Sequence, residues 1–285
     1  MLPIQWFLWI IQMLTSGKHP EQTIRMPAVL HESSGLCAIG DSLFVSHNDS
    51  GNAPNLYFFN YQGQLVLTLE IANATNHDWE DLTLNNLNGD LYIADIGNNA
   101  ARRQDEVFSF YKILAANWQQ ALSSKDRRVI VRAEPINFTY PSSPHNAEAA
   151  IYFNDTIWIF TKHSTKKQKK LGFMRCFAVP AQAAVSPTNA PIQAQLADSL
   201  FVGSPVTSAV FSFEQQCVWL LSYGQITKIE TNHPGKLQGK TKRVWSLPPF
   251  LPPQAQTEAI AILPNGGQIV ITNEKGWLWF LSGFP

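Results

Sequence analysis

Residues 80–99 read EDLTLNNLNGDLYIADIGNN. An acid opens a short apolar run, an Asn/Gly/Asp turn follows, and a second apolar run closes on polar residues, which predicts two strands joined by a hairpin. The arrangement returns as SSGLCAIGDSLFVSHND from Ser33, EAAIYFNDTIWIFTKH from Glu148, SAVFSFEQQCVWLLSYG from Ser208 and EAIAILPNGGQIVITNE from Glu258. Recurrence at a period of about fifty residues or more marks a repeat architecture.

Two more strand candidates follow each of the first four copies. They are NLYFFNY and QLVLTLEI, VFSFYKI and RVIVRAEPINF, GFMRCFAV and IQAQLADSLFV, and QITKIE and KRVWSL. Four strands per repeat, the first most apolar, is the pattern of a propeller blade. The fifth copy is followed only by GWLWFLSGF, while TIRMPAV (23–29) precedes the first copy as KRVWSLPPF precedes the fifth. The expectation is an all-β, five-bladed β-propeller spanning 18–285, with the N-terminal strand completing the last blade. Closure of this kind removes an open edge. The stretches QDEV…NWQQALSSKDRR and HSTKKQKK…AQAAVSPTNAP read as surface insertions. A β-sandwich also has many short strands, but it does not require a five-fold template.

Composition agrees with a well-buried core: 45% hydrophobic, 12% aromatic and only 15% charged in 285 residues. Basic and acidic residues number 21 each, so no net field favours nucleic acid or an anionic membrane. No C-x-x-C pair or P-loop motif occurs. Cys37, Cys176 and Cys217 are odd in number, far apart and set in apolar runs, as buried thiols are. The segment MLPIQWFLWIIQMLTSG (1–17) is apolar from Leu2 to Leu14. It is short for a bilayer span and suits the core of a secretory signal. A leader or anchor at 1–17, no stable membrane span, and a secreted or periplasmic monomer are therefore expected.

In a propeller the loop entering the innermost strand and the turn between strands two and three share one face, and sites are commonly built from such loops. The motifs HESS, NHDWED, PHNAE, VTS and QTE, and SHNDSGN, ADIGNNAARR, TKHSTKK, SYG and TNEKG, all fall there. The template residues Ser34, Glu80, Glu148, Ser208 and Glu258 then converge on the central channel. Three carboxylates in one narrow space either take up protons or bind a cation. An oxygen-only donor set suits Ca²⁺, which takes six to eight oxygens, and does not suit zinc. The plainer alternative is a wide, wet channel with solvated acids.

Asp49 and Asp95 end second strands and are candidates to orient or deprotonate a water; the alternative role for each is to brace its own turn. Arg102 and Arg103 follow DIGNN and could fork onto phosphate or carboxylate oxygens. His47, Asn48, Asn98, Lys162, His163 and Glu274 are ligand-binding candidates on the same face, which also carries His77 and His145. The lysines at 162, 166, 167, 169 and 170 favour a small anionic ligand if they lean over the channel, and otherwise form a solvated loop. Trp79 is expected to wedge between blades.

The pattern resembles the calcium-activated nucleotidases (apyrases), five-bladed propellers whose central calcium is ringed in the order Ser, Glu, Glu, Ser, Glu. That order is met by Ser34 in SSGL, Glu80 in WEDL, Glu148 in NAEAA, Ser208 in TSAVF and Glu258 in TEAIAI. The likeness consists of five short motifs rather than continuous identity. It implies a central Ca²⁺ and nucleotide hydrolysis. The family carries an acid pair followed by a basic residue in the first blade's turn, where this chain has HNDSG (47–51). The motifs HNDSG, DWEDL and DIGNN also look like those of exported bacterial propellers of unassigned function. The expectation is a Ca²⁺-dependent hydrolase of a phosphate-bearing small molecule such as a nucleotide. The alternatives are a non-catalytic glycan- or peptide-binding propeller with structural calcium, and a glycoside hydrolase with paired acids.

Overall fold

The structure is a computed structural model that describes residues 22–99, 103, 107–162, 173–182, 190–247, 256–264 and 268–284. The expected leader at 1–17, Arg102, His163 and the lysines from 166 to 170 lie outside the described residues. Among the described residues no helix is long and apolar enough to cross a membrane.

After β1 (Gln22–Arg25), the first blade runs through β2 (Ser33–Ile39), β3 (Leu43–Asn48), β4 (Asn55–Asn60) and β5 (Leu65–Ile71). The second holds β6 (Trp79–Leu84), β7 (Leu91–Asp95) and β8 (Phe108–Ile113), then helix α1 (Ala115–Ser123), β9 (Arg128–Val131) and β10 (Glu134–Thr139). The third is made of β11 (Ala147–Phe153), β12 (Thr156–Thr161) and β13 (Phe173–Pro180), followed by β14 (Ile192–Gln193) and β15 (Gln195–Phe201). The fourth is β16 (Val206–Ser212), β17 (Cys217–Ser222), β18 (Gln225–Glu230) and β19 (Lys242–Ser246). The fifth is β20 (Thr257–Ile262), β21 (Ile269–Asn273) and β22 (Trp277–Leu281). β1 pairs antiparallel with β22, with Gln22 opposite Phe280 and Arg25 opposite Trp277, so the N-terminal strand closes the ring as its sequence predicts. The result is an all-β, five-bladed β-propeller.

Two outer strands depart from expectation. RVIVRAEPINF is not one strand of the second blade. β9 pairs parallel with β5 of the first blade, and only β10 joins β8. The Asn73 side chain fixes the break by donating to the Ala133 carbonyl (3.0 Å) and accepting its N–H (2.8 Å), while Arg128 pairs with Glu70. Likewise Ile192–Gln193 pairs parallel with β10 of the second blade before the chain enters β15. Both insertions thus cover edges that would otherwise offer unpaired backbone groups. The first insertion also holds α1, whose Ala115 N–H is accepted by Asp90 and whose Trp118 and Ala121 are buried.

The packing between blades is aromatic and aliphatic. Trp79, Trp219 and Trp279 are wholly enclosed, and Cys37, Cys176 and Cys217 are free, buried thiols. Around the channel the inner strands β2, β6, β11, β16 and β20 belong to separate sheets. Side chains therefore bridge them. Asp81 accepts the N–H of Ala150 and the Ser208 hydroxyl, Thr83 accepts the N–H of Tyr152, and Ser208 accepts the N–H of Ile260. Buried backbone groups need such partners. Gly35 sits where no side chain fits: a Cβ there would lie 2.6 Å from Leu82 N and 2.8 Å from the Asp81 carbonyl carbon, both backbone of the next blade. Gly35→Ala is expected to lower stability by about 1–3 kcal/mol through overpacking, read as a fall in the urea midpoint with unchanged slope.

Candidate metal centre

Each inner strand carries a register shift near its start, between Ser33 and Leu36, Trp79 and Asp81, Ala147 and Ala149, Val206 and Ser208, and Thr257 and Ala259. Such bulges re-aim a side chain. The bulged residues are Glu80, Glu148, Thr207 and Glu258, with Ser34 and Gly35 in the first blade. The fourth-blade position is therefore Thr207, one residue before the Ser208 that the sequence template selects. Alignment on the apolar run cannot see a bulge, and both residues carry a hydroxyl. Ser208 lies one step further along and is wholly buried against Asp81. The hydroxyls of the ring donate across blade boundaries, Ser34 to the Glu80 carbonyl (2.7 Å) and Thr207 to the Thr257 carbonyl (2.8 Å).

Among the described residues, Asp49, Asp78 and Glu80 bring carboxylate oxygens within 4.8 Å of one another. Asp49 is delivered by the β3–β4 turn, and Asp78 and Glu80 by the entry into β6. Asn76 joins the two segments, donating to the carbonyls of Asn48 and Asp49 and accepting the Trp79 N–H. Gly97 lets the chain leaving β7 pass against them, since a Cβ there would lie 2.3 Å from Glu80 Oε1 and 2.4 Å from Asp78 Oδ2. Glu80 Oε1 is buried with no hydrogen-bond partner, and so is Glu148 Oε2.

Glu148 receives the Lys162 ammonium as an ion pair and a hydrogen bond from Asn146. Asn146 also accepts the Asn98 N–H (2.6 Å) and donates to Asn99, tying the third blade to the second. Glu274 accepts a hydrogen bond from Gln256 at the rim. Asp95 and Arg103, expected as separate catalytic groups, are joined in a buried ion pair. Asp95 also accepts the Asp78 N–H (2.9 Å), and the Arg103 guanidinium lies 4.7 Å from the Phe108 ring centre. Beside the acids lies a cleft of about 550 Å³ lined by Ser50, His77, Asp78, Asn98 and Arg103 among others. His47 is wholly buried against Trp79, and the Asn48 side chain donates to the Val29 carbonyl and accepts the Glu32 N–H.

Burial and mutual repulsion hold these carboxyls above their ordinary range. Burial, then Glu148, Asp49 and Asp78, raise Glu80 well above it. Burial pushes Asp49 up to about 6 and Glu148 to about 7, the latter against the pull of Lys162. Burial with Glu148 nearby pushes Glu258 to about 9. Burial raises Asp95 despite the opposing charge of Arg103. His47 and His145 are held neutral, each lowered to about 4 by burial.

Sequence reading passed over Asp78, Asn76 and Asn146. For Asp78 a signal was available, because residues two apart in an extended segment share a face. Asn76 and Asn146 act through neighbours that are remote along the chain, and no local pattern marks them.

These features define a β-propeller with an acid-lined, partly enclosed channel mouth. No protein-family model and no curated protein matches the chain. Solved structures with the same general form include a chain of the mitotic checkpoint complex (10% identity, TM-score 0.45, covering 94% of this chain and 93% of that one). Another is virginiamycin B lyase from Staphylococcus aureus (10%, 0.41, 88% and 66%), and a third is the Cps50 (Swd1) β-propeller domain of Myceliophteria thermophila (12%, 0.45, 94% and 100%). At such identities the likeness concerns architecture alone.

Proposed function

We propose that this propeller binds Ca²⁺ at Asp49, Asp78 and Glu80 and presents it to a phosphate-bearing small molecule in the adjoining cleft, which it hydrolyses. The observation that carries the reading is the Oε1 atom of Glu80, buried without a partner among three carboxylates. An unpaired buried carboxylate is costly, and a hard cation satisfies it. The donors are all oxygen and include no histidine or cysteine, which fits Ca²⁺ and not Zn²⁺. Of the five ring residues by which the chain resembles the calcium-activated nucleotidases, Glu80 also belongs to this three-acid group.

Ca²⁺, when bound, would supply charge to hold phosphate oxygens and polarise the phosphorus. Asp49, half-buried at the rim, would hold the ion and orient an attacking water beside it. Asp95 keeps Arg103 oriented on the cleft wall, where the guanidinium would offset developing negative charge. The engagement of Asp95 by both Arg103 and the Asp78 N–H favours a positioning role for it over that of a base. The same engagement favours a second reading, a non-catalytic binding module with structural calcium.

Calorimetric titration with CaCl₂ tests the ion site. Wild type should bind, and Glu80→Gln should bind at least about tenfold more weakly, a loss of about 1.4 kcal/mol. No binding by wild type overturns the reading. Calcium-dependent phosphate release from nucleoside diphosphates supports hydrolysis, whereas binding without release leaves the recognition module.

A further inference from the structure

The acids of the channel mouth differ in how their charge is met. Lys162, at the end of β12, places its ammonium on Glu148, which is only 2% exposed, and over the Tyr223 ring at 5.1 Å. Its own N–H is held by the Asn146 carbonyl at 3.0 Å, so the stem starts from a fixed point. Asp49, Asp78 and Glu80 take part in no ion pair among the described residues. The second oxygen of Glu148 is buried without a partner, so the ammonium meets half of that carboxylate's demand. Glu258 is the bulged residue of β20 as Glu148 is of β11, and both Glu148 and Lys162 act on it electrostatically.

We infer that Lys162 is a tethered cation occupying the second of two cation positions in the ring. The native protein then takes one divalent ion, displaced from the channel axis toward the first two blades. Without the ammonium, Glu148 and Glu258 form a second position for an ion. A lysine head is a compact point charge with three donors on a flexible stem, which suits it to stand where a metal would otherwise sit. Its single charge also lowers the attraction of the whole mouth for further cations, which makes Lys162 a determinant of stoichiometry and affinity. This rests on the ion site proposed above, and the experiment separates the two.

Metal-stripped full-length wild type, Lys162→Gln and Lys162→Arg are titrated calorimetrically with CaCl₂ alone at pH 8. The expected result is one ion in wild type and in Lys162→Arg, and in Lys162→Gln either two ions or one held at least about tenfold more tightly, or 1.4 kcal/mol. Equal stoichiometry and affinity in wild type and Lys162→Gln overturns the inference and leaves the ion site standing. Binding by Lys162→Gln alone overturns the ion site proposed above and, with it, the one-ion stoichiometry inferred for the native protein. No binding by either overturns both. If Lys162→Gln fails to fold without calcium, its thermal melt in CaCl₂ decides: restored folding supports a second ion, and no restoration overturns it.

Discussion

Trp79→Ala is expected to lower stability by about 3–5 kcal/mol, the range for deleting a buried tryptophan from a core. Trp79 is wholly enclosed where the first two blades meet, in one cluster with Leu56, Phe58, Leu82 and Ile93. Its ring is 5.5 Å from His47, edge to face, and its indole N–H donates to the Thr75 carbonyl at 3.1 Å. Natural domains have only about 5–15 kcal/mol to lose, so Trp79→Ala should melt many degrees lower. Trp79→Phe keeps most of the volume and gives up the indole hydrogen bond, so its loss should be about half as large or less. Equilibrium urea unfolding measures both. The consequence reaches function because Trp79 lies between Asp78 and Glu80, so the folded fraction of Trp79→Ala should bind Ca²⁺ more weakly. A loss below about 1 kcal/mol would mean that this ring does not hold the blades together.

Raising the pH from 6.5 to 9 in chelator should lower the melting temperature, and CaCl₂ should abolish or reverse that fall. A carboxyl whose folded pKa exceeds its unfolded value keeps its proton longer in the fold, so stability is lost as pH rises between the two values. Glu148 moves from 4.5 to about 7, Asp81 from 3.8 to about 8, and Glu258 from 4.5 to about 9, with burial the largest cause each time. His47 and His145 act in the opposite sense, from about 4 to their ordinary 6.5, and so leave the upper window to the carboxyls. A melting decrease of about 5 °C or more is expected, since each kcal/mol shifts a chain of 150–250 residues by about 2–4 °C. On the proposed reading, calcium would replace the departing protons and stabilise the fold by mass action. Its affinity should therefore rise with pH over the same window. A flat chelator profile would show that these acids ionise without hindrance and that the mouth is not crowded.

Much of the architecture is legible in local pattern. The hairpins at Ser33, Glu80, Glu148, Ser208 and Glu258 each combine apolar runs with turn residues whose backbone preferences act at short range. The pairing of the first and last strands follows because one blade lacks an outer strand and an open edge is unfavourable. The extended chain at Arg128–Val131 is equally legible, but its neighbour is not. Whether those residues meet β8 or β5 turns on Asn73 and Glu70, roughly sixty positions earlier. Charge partners escape in the same way. Asp95 and Arg103 read as independent chemistry, and only folding joins them. His47 and Asn48 read as loop residues, and only the fold shows them buried, His47 against Trp79 and Asn48 bonded to Val29 and Glu32.

The amino-acid order by itself determined the inner hairpins, the five blades and the ring closure, because each follows from periodicity and turn chemistry within a short span. Tertiary structure alone decided that Thr207 is the bulged residue of the fourth inner strand, that Lys162 pairs with Glu148, and that Asp78 joins Asp49 and Glu80. A bulge and an ion pair depend on which remote groups compete for the same space and charge, and no local pattern encodes the outcome of that competition.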